Sequence, residues 1–473
     1  MTHETYEGIP VLHKAVRGEQ ERLNVAIVGA GLGGLGAAIG LLLAGHNVHV
    51  LESAPQIGEI GAGIQVLPNS SRVLIQWGLG PRLARIATIP VQVEMRRWKG
   101  DVLTTMDFAE AAREYKAPFW DFHRADLHGA MLERAVELGA TLQTNARVVD
   151  IDTSHSEKAT VILQSGGKVV ADLVIGADGI FSRCRDLLVG KLDPPTPTGD
   201  LAYRVLLSTE GMETDPELAP FLREHHVRYW MGPGAHAVSY VLRNGKLINV
   251  VLLVPDDIPD DATTVDGSVE EMQALYAQWD PRIPKLLKYC QSVQKWKLCF
   301  RPGLEQPWYN ANGTFVLLGD AVHATLPYLA SGAGMSLEDG AVLGHCFSRV
   351  LGKSTASKLK ALSVYEDCRR TRTESVVDRG NLQQYLYHLD DGPEQEARDD
   401  RYRAFGELEK QIQKAGSAKD VPLPAGLEIG SDPFPWRRYG VGEWLISYDC
   451  VADVDSKWPD ERQAAETQFR ASL

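Results

Sequence analysis

The sequence predicts an α/β fold: a parallel sheet interrupted by a mostly antiparallel block and closed by C-terminal helices. Three observations predict it. A short apolar strand, Val25–Val28, leads into a glycine turn and then a helical run ending near Gly45. From Asp200 onward the pattern changes to alternating strand-like segments, Leu201–Leu207, Val227–Met231, Ala237–Leu242 and Leu247–Val254. Another apolar strand, Thr314–Leu318, then returns and ends in Gly319-Asp320, and helical character runs from Glu338 to about Leu389.

The first unit carries the most specific signal. Gly29, Gly31 and Gly34 form G-x-G-x-x-G between a strand and a helix, and Glu52 ends the next strand 21 residues after Gly31. Each position has a physical task in a Rossmann-type dinucleotide fingerprint. Gly29 permits the tight turn, Gly31 lets a pyrophosphate approach the backbone, and Gly34 allows close helix–strand packing. The helix start offers free N–H groups and a positive dipole end. A carboxylate at Glu52 can accept hydrogen bonds from a ribose diol. The spacing does not separate NAD from FAD.

The remaining segments divide as follows. Residues 1–22 are polar and read as a mobile leader. The nucleotide domain is discontinuous, over 23–90, 115–198 and 300–375. A substrate domain takes 91–114 and 199–299, entered through the Pro-rich stretch Asp193–Thr198. Residues 376–473 form a helical and Trp-rich tail, within which the charged 390–432 stretch reads as surface or mobile.

Composition excludes several classes. A formal charge of −13 argues against nucleic acid and anionic membranes as partners. The six cysteines lack C-x-x-C spacing, so neither a zinc site nor a disulfide framework is expected. That usage fits a reducing compartment, and with no secretory pattern and no long uninterrupted apolar run the expectation is a cytoplasmic protein without a spanning helix. Monomer and homodimer both remain open.

Three more motifs follow in order: Gly176-Ala177-Asp178-Gly179 with Ser182 and Arg185, then Leu318-Gly319-Asp320-Ala321, then Ser331-Gly332-Ala333-Gly334-Met335. Together with the fingerprint, this set resembles the group A flavin monooxygenases, in particular the salicylate-hydroxylase-like branch and its fungal specialised-metabolism members. The resemblance spans about Val25 to Arg370 and the Trp-rich tail. It implies FAD on the first fingerprint and NAD(P)H as co-substrate, with no separate nicotinamide domain. It implies that Asp320 binds the ribityl chain and that Arg124 reaches the phosphate or ribityl region. It implies further that Asp178 belongs to a segment serving both FAD and NAD(P)H, and that Gly332 and Ala333 lie beside the flavin pyrimidine. Gly63 and Gln65, within the Gly61–Gln65 segment, match the part that covers the flavin edge. Ser331 stands where many relatives carry Gln.

Enzymes of that family add oxygen to reduced flavin, form a C4a peroxide, and pass an electrophilic oxygen to an electron-rich substrate. A phenolate reacts far better than a phenol, so a cation or donor beside the phenol oxygen is needed. Arg204, a charge within the apolar strand LAYRVLL, and Tyr240 on HAVSYVL match the positions with which fungal phenol-dearomatising relatives hold a phenolate. His236 is a further pocket candidate, His323 reads as structural, Pro327 as a cavity wall, and Tyr203 should face away from Arg204. The expected activity is monooxygenation of a salicylate-like acid, a polyketide phenol or an indole. Alkene epoxidation, and a flavin oxidase or dehydrogenase, are the alternatives.

Overall fold

The computed structural model describes residues 4–58 and 62–458, so Gly61 of the flavin-edge segment lies outside the described residues. The nucleotide unit is a parallel sheet in the order Phe315–Leu317, Leu173–Gly176, Asn24–Val28, Asn47–Leu51, Thr141–Gln143. Its strands are nearly all apolar because helices cover both faces. The second sheet has eight strands, mostly antiparallel, in which Gln92–Arg97 and Val102–Asp107 join the strands that follow Asp200.

Two helices pack against each other in the nucleotide unit. The fingerprint helix, Leu32–Leu43, crosses the helix Gly332–Ser348 backbone to backbone. A Cβ on Gly340 would sit 2.5 Å from the Gly36 carbonyl carbon, and one on Gly344 would sit 2.6 Å from that of Gly40. The paired G-x-x-x-G steps at Gly36/Gly40 and Gly340/Gly344 therefore let the axes approach more closely than side chains allow. That crossing aims both helix starts at one cleft.

Three features differ from the sequence expectation. The leader is anchored rather than mobile over its described residues. Arg17 donates to Ala44 O at 2.6 Å and Val350 O at 2.5 Å, and also to the carbonyls of Phe347 and Ser348. Its guanidinium thus satisfies the orphan carbonyls at the C-terminal ends of both crossing helices, where their dipoles favour a cation. The 390–432 stretch contains a 23-residue helix, Pro393–Ala415. Pro393 starts it and Gly416, at φ +76°, stops it, while Tyr402, Phe405, Leu408 and Ile412 bury one face. The division at 375/376 falls inside the unbroken helix Thr355–Tyr387. The tail packs back onto the body, with Trp436 buried and its indole donating to Leu329 O at 3.2 Å.

Candidate active site

The glycines of the fingerprint behave as their spacing requires. Gly29 has φ +105°, and a Cβ there would lie 2.4 Å from Ala177 O. A Cβ on Gly34 would lie 2.0 Å from Gly29 O, so helix and turn touch directly. Gly31 faces open space, with nothing within 4 Å of a built Cβ. It precedes a helix start that has no side-chain cap, and the first intrahelical bond is Leu35 N–H to Gly31 O. The N–H groups before Leu35 therefore remain for an anion. Glu52 accepts from Ala30 N at 2.9 Å and Ala54 N at 2.8 Å, which fixes its carboxylate against the turn.

A cavity of about 340 Å³ runs from Gly31 to the large sheet. Its nucleotide-side wall includes Gly63, Gln65, Arg124, Asp320, Gly332 and Ala333. Asp320 reaches the open cleft, while the protein packed around it raises its acid above the usual carboxylate range, opposed by His323 and Arg124. The Gly332–Ser348 helix also begins here without a side-chain cap, a second set of N–H donors facing the same space. Asp178 is placed differently. Its carboxylate accepts from Ser182 Oγ at 2.5 Å and Cys184 N at 2.9 Å, securing the turn into the Arg183–Val189 helix, while its neighbours Ala177 and Gly179 line the cavity.

The opposite wall is one face of the eight-stranded sheet, and its register decides which side chains meet. Arg204 pairs with Val251, and Val251 with Val238. One row away Ala202, Leu253 and His236 align, and on the other side Leu206, Asn249 and Tyr240. Directly paired residues share a face, so Arg204, Tyr240 and His236 all project toward the cavity and line it. Tyr203 projects the other way and is fully buried in a separate core, as alternation demands. Arg204 stands at the cavity mouth, its guanidinium 4.7 Å from the Trp296 ring centroid. Tyr240 is deep: burial pushes its phenol well up, with Asp121 and Tyr229 adding to the shift and Arg204 opposing it.

Residues not foreseen from sequence complete the wall. Asn249 accepts from Gly63 N at 2.8 Å, and among the described residues its buried Nδ2 has no hydrogen-bond partner. A Cβ on Gly63 would lie 2.5 Å from Tyr240 Oη, so the absent side chain makes room for that phenol. The available signal was a polar residue inside the apolar strand LINVVLLV. Asp121 accepts from Gln65 Nε2 at 3.2 Å across the pair Gly63–Val66 and Trp120–His123, which orients the amide. His236 and Pro327 line the cavity, while His323 bonds Asp339 at 2.6 Å behind it.

Burial pushes the Asp121 acid up to about 8 from 3.8. A raised acid stabilises the fold fully below about 4 and loses that contribution as pH rises through about 8. Asp121→Asn keeps an oxygen for Gln65 and removes the titration. The variant should melt higher than wild type at pH 8, by more than about 1 kcal/mol, with the gap closing toward pH 4. Thermal melts across that range check it, and a gap independent of pH would refute it.

Comparison with known proteins agrees with the geometry. The family model described as FAD binding domain matches residues 22–380. The chain is 39% identical over 443 residues to FAD-dependent monooxygenase OpS4 of Beauveria bassiana (strain ARSEF 2860), covering 92% of this chain and 97% of that protein. It is 32% identical over 376 residues to 3-hydroxybenzoate 6-hydroxylase 1 of Aquipseudomonas alcaligenes, covering 78% and 91%. Among solved structures, a salicylate hydroxylase substrate complex shares the fold at TM-score 0.72 with 23% identity, covering 94% of this chain and 100% of that one. CtdE in complex with FAD and a substrate does so at TM-score 0.73 and 22% identity, covering 92% and 98%. FAD fits the donors present, which are two uncapped helix starts, the open front of Gly31, the fixed Glu52, and Arg124 beside Asp320. The chain belongs to the FAD-dependent monooxygenases that carry this FAD binding domain.

Proposed function

We propose that the protein hydroxylates an electron-rich aromatic, a phenol, an indole or a salicylate-like acid, using NAD(P)H and O2. The observation that carries this reading is the register that sets Arg204 and Tyr240 on one face of the sheet, across the cavity from Asp320 and the Gly332–Ser348 helix start. Bound FAD supplies the activated oxygen. The chain's residues would hold it: the turn after Val28 at the pyrophosphate, Glu52 at the ribose, Arg124 and Asp320 along the linker, and the N–H groups from Gly332 at the ring, where they would favour negative charge.

For the substrate, Arg204 lowers the pKa of a phenol placed at the sheet face and orients its oxygen. Tyr240 stays protonated because it is buried, so it donates to that oxygen. Val238, Val251 and Leu253 give the ring an apolar bed that excludes water. Gln65, tethered to Asp121, and Gly63, tethered to Asn249, close the cavity on the nucleotide side. The 91–114 and 199–299 segments act as the substrate domain, and the reaction takes place in the cytoplasm.

A screen of phenols, indoles and alkenes for substrate-stimulated NAD(P)H consumption, with mass detection of one added oxygen, tests the reading. A phenol or indole gaining one oxygen supports it. Epoxidation of alkenes alone, or peroxide release without product, overturns it.

A further inference from the structure

The cavity face of the large sheet does not end at Arg204. Paired residues carry it across the strand Val293–Phe300 to the edge strand Thr264–Gly267. Ala202 meets Trp296 and then Thr264, and Arg204 meets Gln294 and then Asp266. Directly paired residues share a face, so Gln294 and Trp296 project to the same side as Arg204. Leu298, two residues on, still lines the cavity described above. Gln294, Trp296 and Leu206 instead line a second chamber of about 800 Å³. Arg204 and Ala62 belong to both walls, so the two spaces meet at the guanidinium that lies over the Trp296 ring.

We infer that this outer chamber is a subsite for a polar arm that the aromatic substrate carries ortho to its phenol oxygen, an inference that rests on the phenol reading above. Size gives the first argument. The inner cavity of about 340 Å³ begins at Gly31, so the cofactor takes part of it. Ligand pockets run to roughly 300–1,000 Å³. The share left at the sheet face is that of one small ring, and a larger substrate has to continue past Arg204. Direction gives the second argument. With the oxygen held between Arg204 and Tyr240, a group ortho to it on the Arg204 side runs over Leu206 and Trp296. A para group runs the opposite way.

The walls set the chemistry of the arm. Leu206 and Trp296 are half-buried and give it an apolar floor. The rim is polar and exposed, with Gln294, Ser268, Asp266 and Glu270. Gln294 Nε2 donates to Asp266 at 3.3 Å, which leaves the amide oxygen to accept from an arm. Among the described residues the lining holds two carboxylates, Asp266 and Glu270, against one cation, Arg204, and the phenol oxygen engages that cation. An ammonium or an uncharged donor is favoured there, and a carboxylate or phosphate is repelled. The pyrophosphate of NAD(P)H therefore does not suit this chamber. Gln294, Trp296 and Asp266 would be specificity-determining residues, acting on the arm and not on the reacting ring.

Titration calorimetry on the FAD-loaded protein tests the subsite with three probes that share one ring: salicylamide, its N-aminoethyl derivative and its N-carboxymethyl derivative. The aminoethyl arm should tighten binding about fivefold over salicylamide, and the carboxymethyl arm should weaken it. Gln294→Trp, which fills the chamber, should erase the gain from the aminoethyl arm. Asp266→Lys should invert the order of the two arms. Each affinity is taken as a ratio to salicylamide on the same preparation, so changes in folding or FAD content cancel. Equal affinities for the three probes in the wild type, or ratios that neither variant alters, would overturn the subsite and leave the phenol reading standing. Displacement of the aminoethyl probe by NADP+ would give the chamber to the dinucleotide and overturn the subsite as well. A holoenzyme that binds none of the three probes would overturn both readings.

Discussion

Arg204→Ala should lower turnover of the true substrate by about 100-fold while the protein keeps its FAD. The effect is large because the lost group is a full positive charge at the position where substrate charge develops. It stops short of the larger losses known for sealed sites because Arg204 stands at the cavity mouth, where water partly replaces it. Arg204→Lys should recover only part of the loss, since an ammonium neither spreads over the Trp296 ring nor presents a planar fork. FAD retention should not change, because Arg204 lies on the sheet wall and the cradle lies on the other. Steady-state kinetics with product mass detection, beside the flavin absorbance of the purified variant, check both halves. Unchanged turnover would remove Arg204 from the reaction, and loss of FAD would make its role structural.

How much of this could be read from the chain depends on range. The cradle was legible because its constraints are local. Gly34 packs on Gly29 O five residues before it and Gly29 needs its own φ of +105°, so spacing alone reveals both, although the atom that a Cβ on Gly29 would strike, Ala177 O, lies far along the chain. Arg204 and Tyr240 stood out as a charge and a phenol in apolar strands. Their shared face, however, depends on a middle strand whose register places Val251 and Asn249 between them. Asn249 carries no comparable signal, because a lone amide in a strand has no motif. The anchoring of the leader was illegible for a stronger reason. Arg17 meets carbonyls more than 300 residues away, at helix ends whose convergence is known only from the fold. The Pro393–Ala415 helix is masked differently: its many charges outweigh, in composition, an apolar stripe at helical spacing that the sequence does contain. The His236–His388 contact joins a strand to a helix end 152 residues later, and no local pattern announces it.

The same substitution, glycine to alanine, should have opposite signs at two helical positions. Gly340→Ala should destabilise the protein by about 3 kcal/mol and reduce FAD retention, whereas Gly129→Ala should stabilise it by about 0.5–1 kcal/mol and leave FAD unchanged. Helix propensity favours alanine equally at both sites, so the difference isolates packing. At Gly129, within Arg124–Glu137, a Cβ meets nothing within 4 Å. At Gly340 it meets Gly36 C at 2.5 Å, Ala37 N at 2.7 Å and Gly36 O at 2.8 Å. All three are backbone atoms of a helix that cannot swing aside like a side chain, so the axes must separate. Their far ends are both held by Arg17, so the strain falls on the ends that open at the cavity. The uncapped N–H groups after Gly31 and Ser331 would then move apart, and a cofactor spanning them would lose donors at one end or the other. Chemical denaturation of the two variants, with FAD content measured before unfolding, separates the effects. If Gly340→Ala proved as stable as wild type and fully yellow, close helix contact would not be what aligns the two halves of the site.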